Sequence, residues 1–346
     1  MRGACLRGCR DSRGALRRAD KPCGRAPLYF KDFPLKQLTI IDGNSVGHAA
    51  QHGLGKKGKL VAGGQETTAI FGMLQSMHRL MRARVSTEPV VLWDGRSWRY
   101  ERFADYKGNR TATAEQVAER ERYRSQRKYM FEGLHYLGVK QLIAGNMEAD
   151  DLAAILSRQT VARGNMVSLI TGDKDWLQIV QPGVAWLDHK LDRKCTVDNF
   201  TEFTGYRTRT AFVHSKALQG DAGDNVVTRI GIGEKGALEL LAAFDDVHQF
   251  LGMDLDEATL RMGKKLNKKY TDFHGSRELR DRFEWALELM DLNHPKIPVP
   301  VGIKATREPI NRPALEQFCM RLGMSGLLRG LDTFIKPFEQ MEEFHA

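Results

Sequence analysis

The sequence predicts an α/β fold with a mainly parallel central sheet flanked by helices. Three observations predict it. Five short apolar runs, residues 38–41, 90–93, 139–143, 167–170 and 184–187, are nearly continuous, as in strands covered on both faces. Helical patterns fall between them, over residues 65–84, 114–137 and 149–163. Strand and helix alternate, which is the pattern of a parallel sheet. From about Ser215 the strand signals stop, and helical patterns continue over 235–244, 277–291 and 312–327. The expected division is therefore a tail over 1–36, an α/β core over 37–212 and a helical region over 213–346.

The 346 residues carry a net charge of +10. Residues 1–36 hold ten Lys or Arg and three acids, so this segment is +7 and the other 310 residues only +3. The tail is expected to be solvated and without core structure. It has no apolar run of the kind a secretory signal needs. No run anywhere is long enough to span a membrane, so a soluble protein is expected. Cys5, Cys9 and Cys23 fit no zinc spacing, and Cys195 and Cys319 stand alone, which suits a reducing compartment.

The acids carry the chemistry. Asp42 follows the first apolar run and Asp94 the second; Asp173 and Asp175 follow the run ending at Ile170. The carboxyl ends of parallel strands form one binding edge, so three strands deliver acids to one rim. Glu148, Asp150 and Asp151 open a helix beside them. One acid at a strand end, taken singly, reads better as a helix cap or turn residue. Seven together repel one another and call for divalent cations, and oxygen donors without Cys or His point to Mg²⁺ or Mn²⁺. Two such ions would suit attack of water on a phosphodiester. Asp221 and Asp224 add two more acids in Gln219-Gly220-Asp221-Ala222-Gly223-Asp224-Asn225. Gly231, Gly233, Lys235 and Gly236 then open an apolar helix, where glycines let backbone N–H groups approach a phosphate.

Six motifs in order carry a resemblance: Ile41-Asp42-Gly43-Asn44, Trp93-Asp94-Gly95, Tyr106-Lys107-Gly108-Asn109-Arg110, Glu148-Ala149-Asp150-Asp151, Thr171-Gly172-Asp173-Lys174-Asp175 and Gly220-Asp221-Ala222-Gly223-Asp224-Asn225. Together they resemble the bacteriophage-type 5′→3′ exonuclease and flap-endonuclease family, which includes the 5′-nuclease domain of bacterial DNA polymerase I. The resemblance covers about residues 38–244. It implies a structure-specific hydrolase that cuts at or near the 5′ ends of duplex, nicked or flapped DNA, with RNA–DNA hybrids as a further substrate. Asp42, Asp94, Glu148 and Asp150 would hold one metal. Asp151, Asp173, Asp175, Asp221 and Asp224 would surround the second. Lys107 and Arg110 would stabilise charge at the scissile phosphate, and Tyr106 would stack on a terminal base. Residues 96–128 would form a helical arch over the single strand. Residues 219–244 would form a helical hairpin gripping duplex, with K⁺ bound at Gly231–Gly236. A monomer acting in the cytoplasm, that of the host cell for a phage product, is implied.

Two other readings stand beside this one. A PIN-type ribonuclease uses a smaller carboxylate cluster and lacks the Gly-Asp-x-x-Asp-Asn motif. A branched-DNA-binding protein that does not cut would be expected to lack some acids, and none of the expected ones is missing.

The charge asymmetry yields an expectation for the tail. Removing residues 1–36 should leave single-turnover cleavage intact and reduce the slope of log affinity against log salt, because fewer phosphates are then neutralised. A truncated protein with an unchanged slope would show that the tail does not touch nucleic acid.

Overall fold

In the computed structural model, residues 37–341 are described, apart from 56–57, 84–88, 112 and 189. The basic tail and its three cysteines lie outside the described residues. The first apolar run forms β1 (Gln37–Asp42), followed at once by α1 (Gly43–Gly55). A small hairpin, β2 (Val61–Ala62) and β3 (Gln65–Glu66), precedes α2 (Thr68–Ala83). The helix expected from Gln65 therefore begins at Thr68. Next come β4 (Pro89–Trp93), buried along its whole length, the short α3 (Arg99–Arg102) and a 3₁₀ turn at Gly108–Thr111. The long α4 (Ala114–Tyr136) starts with a capping box between Thr113 and Gln116.

β5 (Lys140–Ile143), α5 (Ala149–Ala162), β6 (Met166–Ile170), β7 (Val184–Asp188) and β8 (Arg193–Cys195) follow. Seven helices come next: α6 (Phe200–Thr204), α7 (Arg209–Gln219), α8 (Glu234–Ala243), α9 (Val247–Leu251), α10 (Leu255–Met262), α11 (Lys268–Gly275) and α12 (Arg277–Met290). A last strand, β9 (Lys304–Thr306), leads to α13 (Arg312–Arg321), α14 (Ser325–Arg329) and α15 (Leu331–Glu339).

The main sheet has the order β8-β7-β6-β1-β4-β5-β9. Its five central strands are parallel, and β8 and β9 pair antiparallel at the two edges. The chain crosses to opposite sides of β1 to form β4 and β6, so a crevice opens at the carboxyl end of β1. Neighbouring residues of β1 face opposite layers. Ile41 joins Trp93, Leu74, Leu134, Phe318 and Phe334 on one face. Ile40 joins Leu92, Leu152, Trp176 and Trp186 on the other. A further core, with Phe244, Phe250, Tyr270 and Phe283, lies within the helical region.

The C-terminal part departs from expectation. β9 pairs with β5, although no strand was expected beyond Ser215. The helix expected over 312–327 divides at Gly323, whose φ of 65° breaks it into α13 and α14. These helices and α15 pack in the core beneath α2 and α4. Leu35–Ala346 is accordingly one unit, and the expected division at residue 212 is bridged by the returning chain.

Gly95, directly after β4, is needed for close approach. A Cβ there would lie 1.8 Å from the Ala144 carbonyl oxygen, and its N–H donates to Met147 O at 2.9 Å. Gly95→Ala should lower stability by about 3 kcal/mol through this overlap. The denaturant midpoint measures it; an unchanged midpoint would show that the 144–147 loop yields freely.

Candidate active site

The crevice gathers acids from five places in the chain. Asp42, Asp94, Asp150, Asp173, Asp175, Asp221 and Asp224 all line a cleft of about 780 Å³. Each is aimed by local bonds. Asp42 accepts from Ser45 N (2.9 Å) and from the Thr171 hydroxyl (2.8 Å). Asp94 accepts from Asn44 Nδ2 (2.6 Å) and from Ala149 N (2.9 Å) at the start of α5. Asp150 accepts from Trp176 Nε1 (2.7 Å). Asp173 caps the 3₁₀ turn at Lys174–Ile179, accepting from Asp175 N at 2.8 Å. Asp221 folds its own loop by accepting from Gly223 N (2.7 Å) and Asp224 N (3.2 Å).

Crowding these acids in a desolvated cleft raises their proton affinity. Burial, then the charge of Asp94, lifts Asp42 from an ordinary 3.8 to about 7. Asp94 is raised by burial and then by Glu148; Asp150 is raised well above its ordinary value by burial and then by Asp173 and Asp94. Desolvation within the cleft, then Asp175, raises Asp173 to about 6. Acids that resist ionisation for want of positive charge are a fitting donor set for hard divalent cations. Among the described residues no three of them bring oxygens within 4.8 Å of one another. Ions held here would keep part of their water shell, as Mg²⁺ commonly does.

Two of the expected ligands have other partners. Asp151 is fully buried and paired with the Arg99 guanidinium at 2.8 and 2.9 Å, and it also accepts from Glu148 N. Neither of its oxygens is free of the Arg99 guanidinium, and it does not line the cleft. Glu148 meets Lys107, Arg99 (3.3 Å), Ser97 (3.0 Å) and the Tyr106 hydroxyl (2.9 Å). Burial would raise its carboxyl, but Lys107 and Arg99 hold it below its ordinary value. Tyr106 is 4% exposed, and its hydroxyl donates toward Glu148 and Asp224 (2.8 Å). The ring as placed offers no open face for the stacking expected of it.

Lys107 and Arg110 do reach the acids. Lys107 pairs with Glu148 and lies 3.9 Å from Asp224; Arg110 pairs with Asp224. Their backbone is tied to the same loop. Lys107 N donates to Asp224 O (2.9 Å), Arg110 Nε to Gly223 O (3.1 Å), the Asn109 amide to Ala222 O, and Asn225 Nδ2 returns to Asp105 O (3.0 Å). Lys107 and Asn225 both adopt positive φ, 58° and 62°, a cost the surrounding bonds enforce. Gly231 (φ 80°), Gly233 and Lys235 are exposed at the N-terminus of α8, whereas Gly236 is buried and its carbonyl accepts from the Tyr270 hydroxyl.

The cleft also holds residues not singled out in the sequence. Arg120, Arg124 and Arg127 face it from α4, at spacings of four and three that mark one helical face. That spacing was readable. Lys216 pairs with Asp175 from α7, and His48 stacks on Tyr123 with centroids 3.6 Å apart; neither had a sequence signal.

Known proteins resemble this chain in sequence and in fold. Residues 37–205 match the family described as 5′-3′ exonuclease, N-terminal resolvase-like domain. The chain is 30% identical to DNA polymerase I of Mycobacterium tuberculosis over 253 residues, 70% of this chain and 27% of that protein. It is 28% identical to the thermostable DNA polymerase I of Thermus thermophilus over 311 residues, 89% of this chain and 35% of that one. It thus spans between a quarter and a third or so of these relatives' length. In fold it is similar to the 5′-exonuclease of bacteriophage T5 with divalent zinc ions bound, at a TM-score of 0.58 and 23% identity, covering 89% of this chain and 100% of that one. Human GEN1 in complex with Holliday junction DNA matches at a TM-score of 0.52 and 16% identity, over 83% of this chain and 68% of that one.

The raised acids give a pH dependence. Folded Asp42 keeps its proton up to about pH 7, while the unfolded chain loses it near 3.8. Ionising the folded form therefore costs stability as pH rises through that window, by roughly 4 kcal/mol at its end. In EDTA the Tm should fall between pH 4 and 7, and Asp42→Asn should raise it at pH 8. Saturating Mg²⁺ should flatten the decline. A metal-free Tm that climbs over this range would contradict the assignment.

Proposed function

The chain belongs to the 5′-nuclease family that includes the 5′-3′ exonuclease domain of DNA polymerase I, and from this we propose a structure-specific 5′-nuclease. It hydrolyses phosphodiester bonds at or near the 5′ ends of duplex, nicked or flapped DNA, and RNA in RNA–DNA hybrids. The observation that carries the reading is the convergence of seven aspartates in one cleft walled by Lys107, Arg110, Arg120, Arg124 and Arg127. Acids alone would repel a phosphate, and cations alone would only bind it. The combination suits a site that holds metal and substrate together.

Two Mg²⁺ or Mn²⁺ ions bound there would supply an activated water and offset charge on the reacting phosphate. Asp42, Asp94 and Asp150, with the free acceptor capacity of Glu148, would face one ion; Asp173, Asp175, Asp221 and Asp224 would face the other. Lys107 and Arg110, now paired with Glu148 and Asp224, would turn toward phosphate oxygens, where their charge stabilises the more anionic transition state. Arg120, Arg124 and Arg127 would track the strand. The exposed backbone at Gly231, Gly233 and Lys235, with K⁺, would hold the duplex, Gly236 serving only to pack the helix. Among the described residues no helix is long and apolar enough to cross a membrane; we place the protein in the cytoplasm as a monomer.

Incubation with 5′-labelled flap, nicked duplex and RNA–DNA hybrid in Mg²⁺ tests the reading. Release of short 5′ products that stops in EDTA is expected. Cleavage undiminished in EDTA, or no cleavage of any 5′ structure, would overturn it. Lys107→Ala should slow single-turnover cleavage roughly a hundredfold, about 3 kcal/mol, since transition-state charge concentrates at one phosphate. DNA affinity should change little, because many other cations share the ground-state contacts. Wild-type single-turnover rates would remove Lys107 from the chemistry.

A further inference from the structure

The helical region holds a second set of metal-ligating groups, none of which lines the acidic cleft. His214 on α7 is buried, and Asp246 and His248 lie at the start of α9. Among the described residues theirs is the one group of three whose donor atoms all lie within 4.8 Å of one another. His214 Nδ1 is 3.3 Å from Asp246 Oδ1, and His248 Nδ1 is 3.0 Å from the same oxygen. Bonds of about 2.1 Å to one ion place neighbouring ligand atoms about 3.0–3.5 Å apart. Both distances fall in that range before any ion is present.

Two further contacts bear on the site. His248 Nε2 meets Glu284 Oε1 of α12 at 2.8 Å. A carboxylate on the far nitrogen is the usual means of orienting a metal-binding imidazole and raising its basicity. Val247 N donates to His214 Nδ1 at 3.1 Å. That bond leaves His214 Nδ1 unprotonated, with its one lone pair on the Val247 N–H. An ion must displace the Val247 N–H from this lone pair, a loss that binding at two imidazoles and a carboxylate has to exceed.

We propose that His214, Asp246 and His248 bind one transition-metal ion of the Zn²⁺ class, with Glu284 supporting His248. Two imidazoles select such ions over Mg²⁺, which favours oxygen donors. The ion joins α7 to α9, and Glu284 extends the link to α12. All three elements pack in one core, where Val213 neighbours His214 in sequence and Val247 and Phe283 are buried. The ion is therefore structural and independent of the chemistry at the cleft.

The test is Zn²⁺ titration of the EDTA-stripped full chain against a chromophoric chelator, with millimolar Mg²⁺ present to occupy the carboxylates. One equivalent of Zn²⁺ that resists Mg²⁺, accompanied by a rise in Tm, is expected. Asp150→Asn should retain that equivalent. His248→Ala should lose it while matching the wild type in far-UV circular dichroism and metal-free Tm, since His248 is a half-exposed surface residue. Glu284→Gln, which leaves the three ligands in place, should weaken the affinity roughly 10- to 100-fold. Absence of a Mg²⁺-resistant equivalent would overturn the proposal, as would an unchanged affinity in both His248→Ala and Glu284→Gln.

Discussion

Repulsion among carboxylates is the constraint on which this structure turns. Asp42, Asp94, Asp150 and Asp173 are each driven to hold their protons by burial and by one another. Such a cluster lowers stability unless something fixes its members from outside. The fold does so with hydrogen bonds to backbone N–H groups, hydroxyls and an indole, each of which stabilises a charge without neutralising it. The parallel sheet makes the gathering possible, because adjacent strands end at one rim. Stability is given up at the place where chemistry needs unscreened negative charge.

The cations respond to the same constraint at two depths. Arg99 is 3% exposed and carries the buried end: it bonds Asp151 with both terminal nitrogens, reaches Glu148, and donates through Nε to Leu289 O at 2.6 Å. It joins α3 to the start of α5 and the end of α12. Removing one partner of such a pair strands the other in low dielectric, typically at 3–5 kcal/mol. Lys107, Arg110 and Lys216 carry the exposed end, each paired with an acid and each held charged despite burial by that acid. The shallow pairs can exchange partners with an incoming anion; the Arg99 pair has no path to do so.

How much of this could be read from residues follows from how local each signal is. The five central strands were legible because strands covered on both faces are apolar throughout. The rim acids were legible because each follows such a run. The pairing of Asp151 was not legible because Glu-Ala-Asp-Asp gives no sign of which acid turns inward; Arg99, some fifty positions away, makes that choice. For Tyr106 the resemblance implied stacking, while its burial depends on the Asp224 loop, which no local signal announces. β9 was missed because Lys304–Thr306 is a three-residue edge strand, exposed or half-exposed, with no apolar pattern. α15 adds a fully apolar face that packs on α2 from the far end of the chain.

That last contact bears on how the molecule comes into being. His78 Nδ1 is hydrogen-bonded with Phe334 O at 3.0 Å and the two rings stack, though they are 256 positions apart. The layer holding Ile41 and Trp93 therefore remains open until the chain through Phe338 has left the ribosome. At roughly 5–20 residues per second, α2 waits tens of seconds for α15. Over that interval Leu74, Met77 and Met81 lack the cover of α15 and have only that of α1 and α4, and contacts so distant in sequence are slow to form. The nascent chain thus carries a partly uncovered apolar face on α2 until α15 has been made.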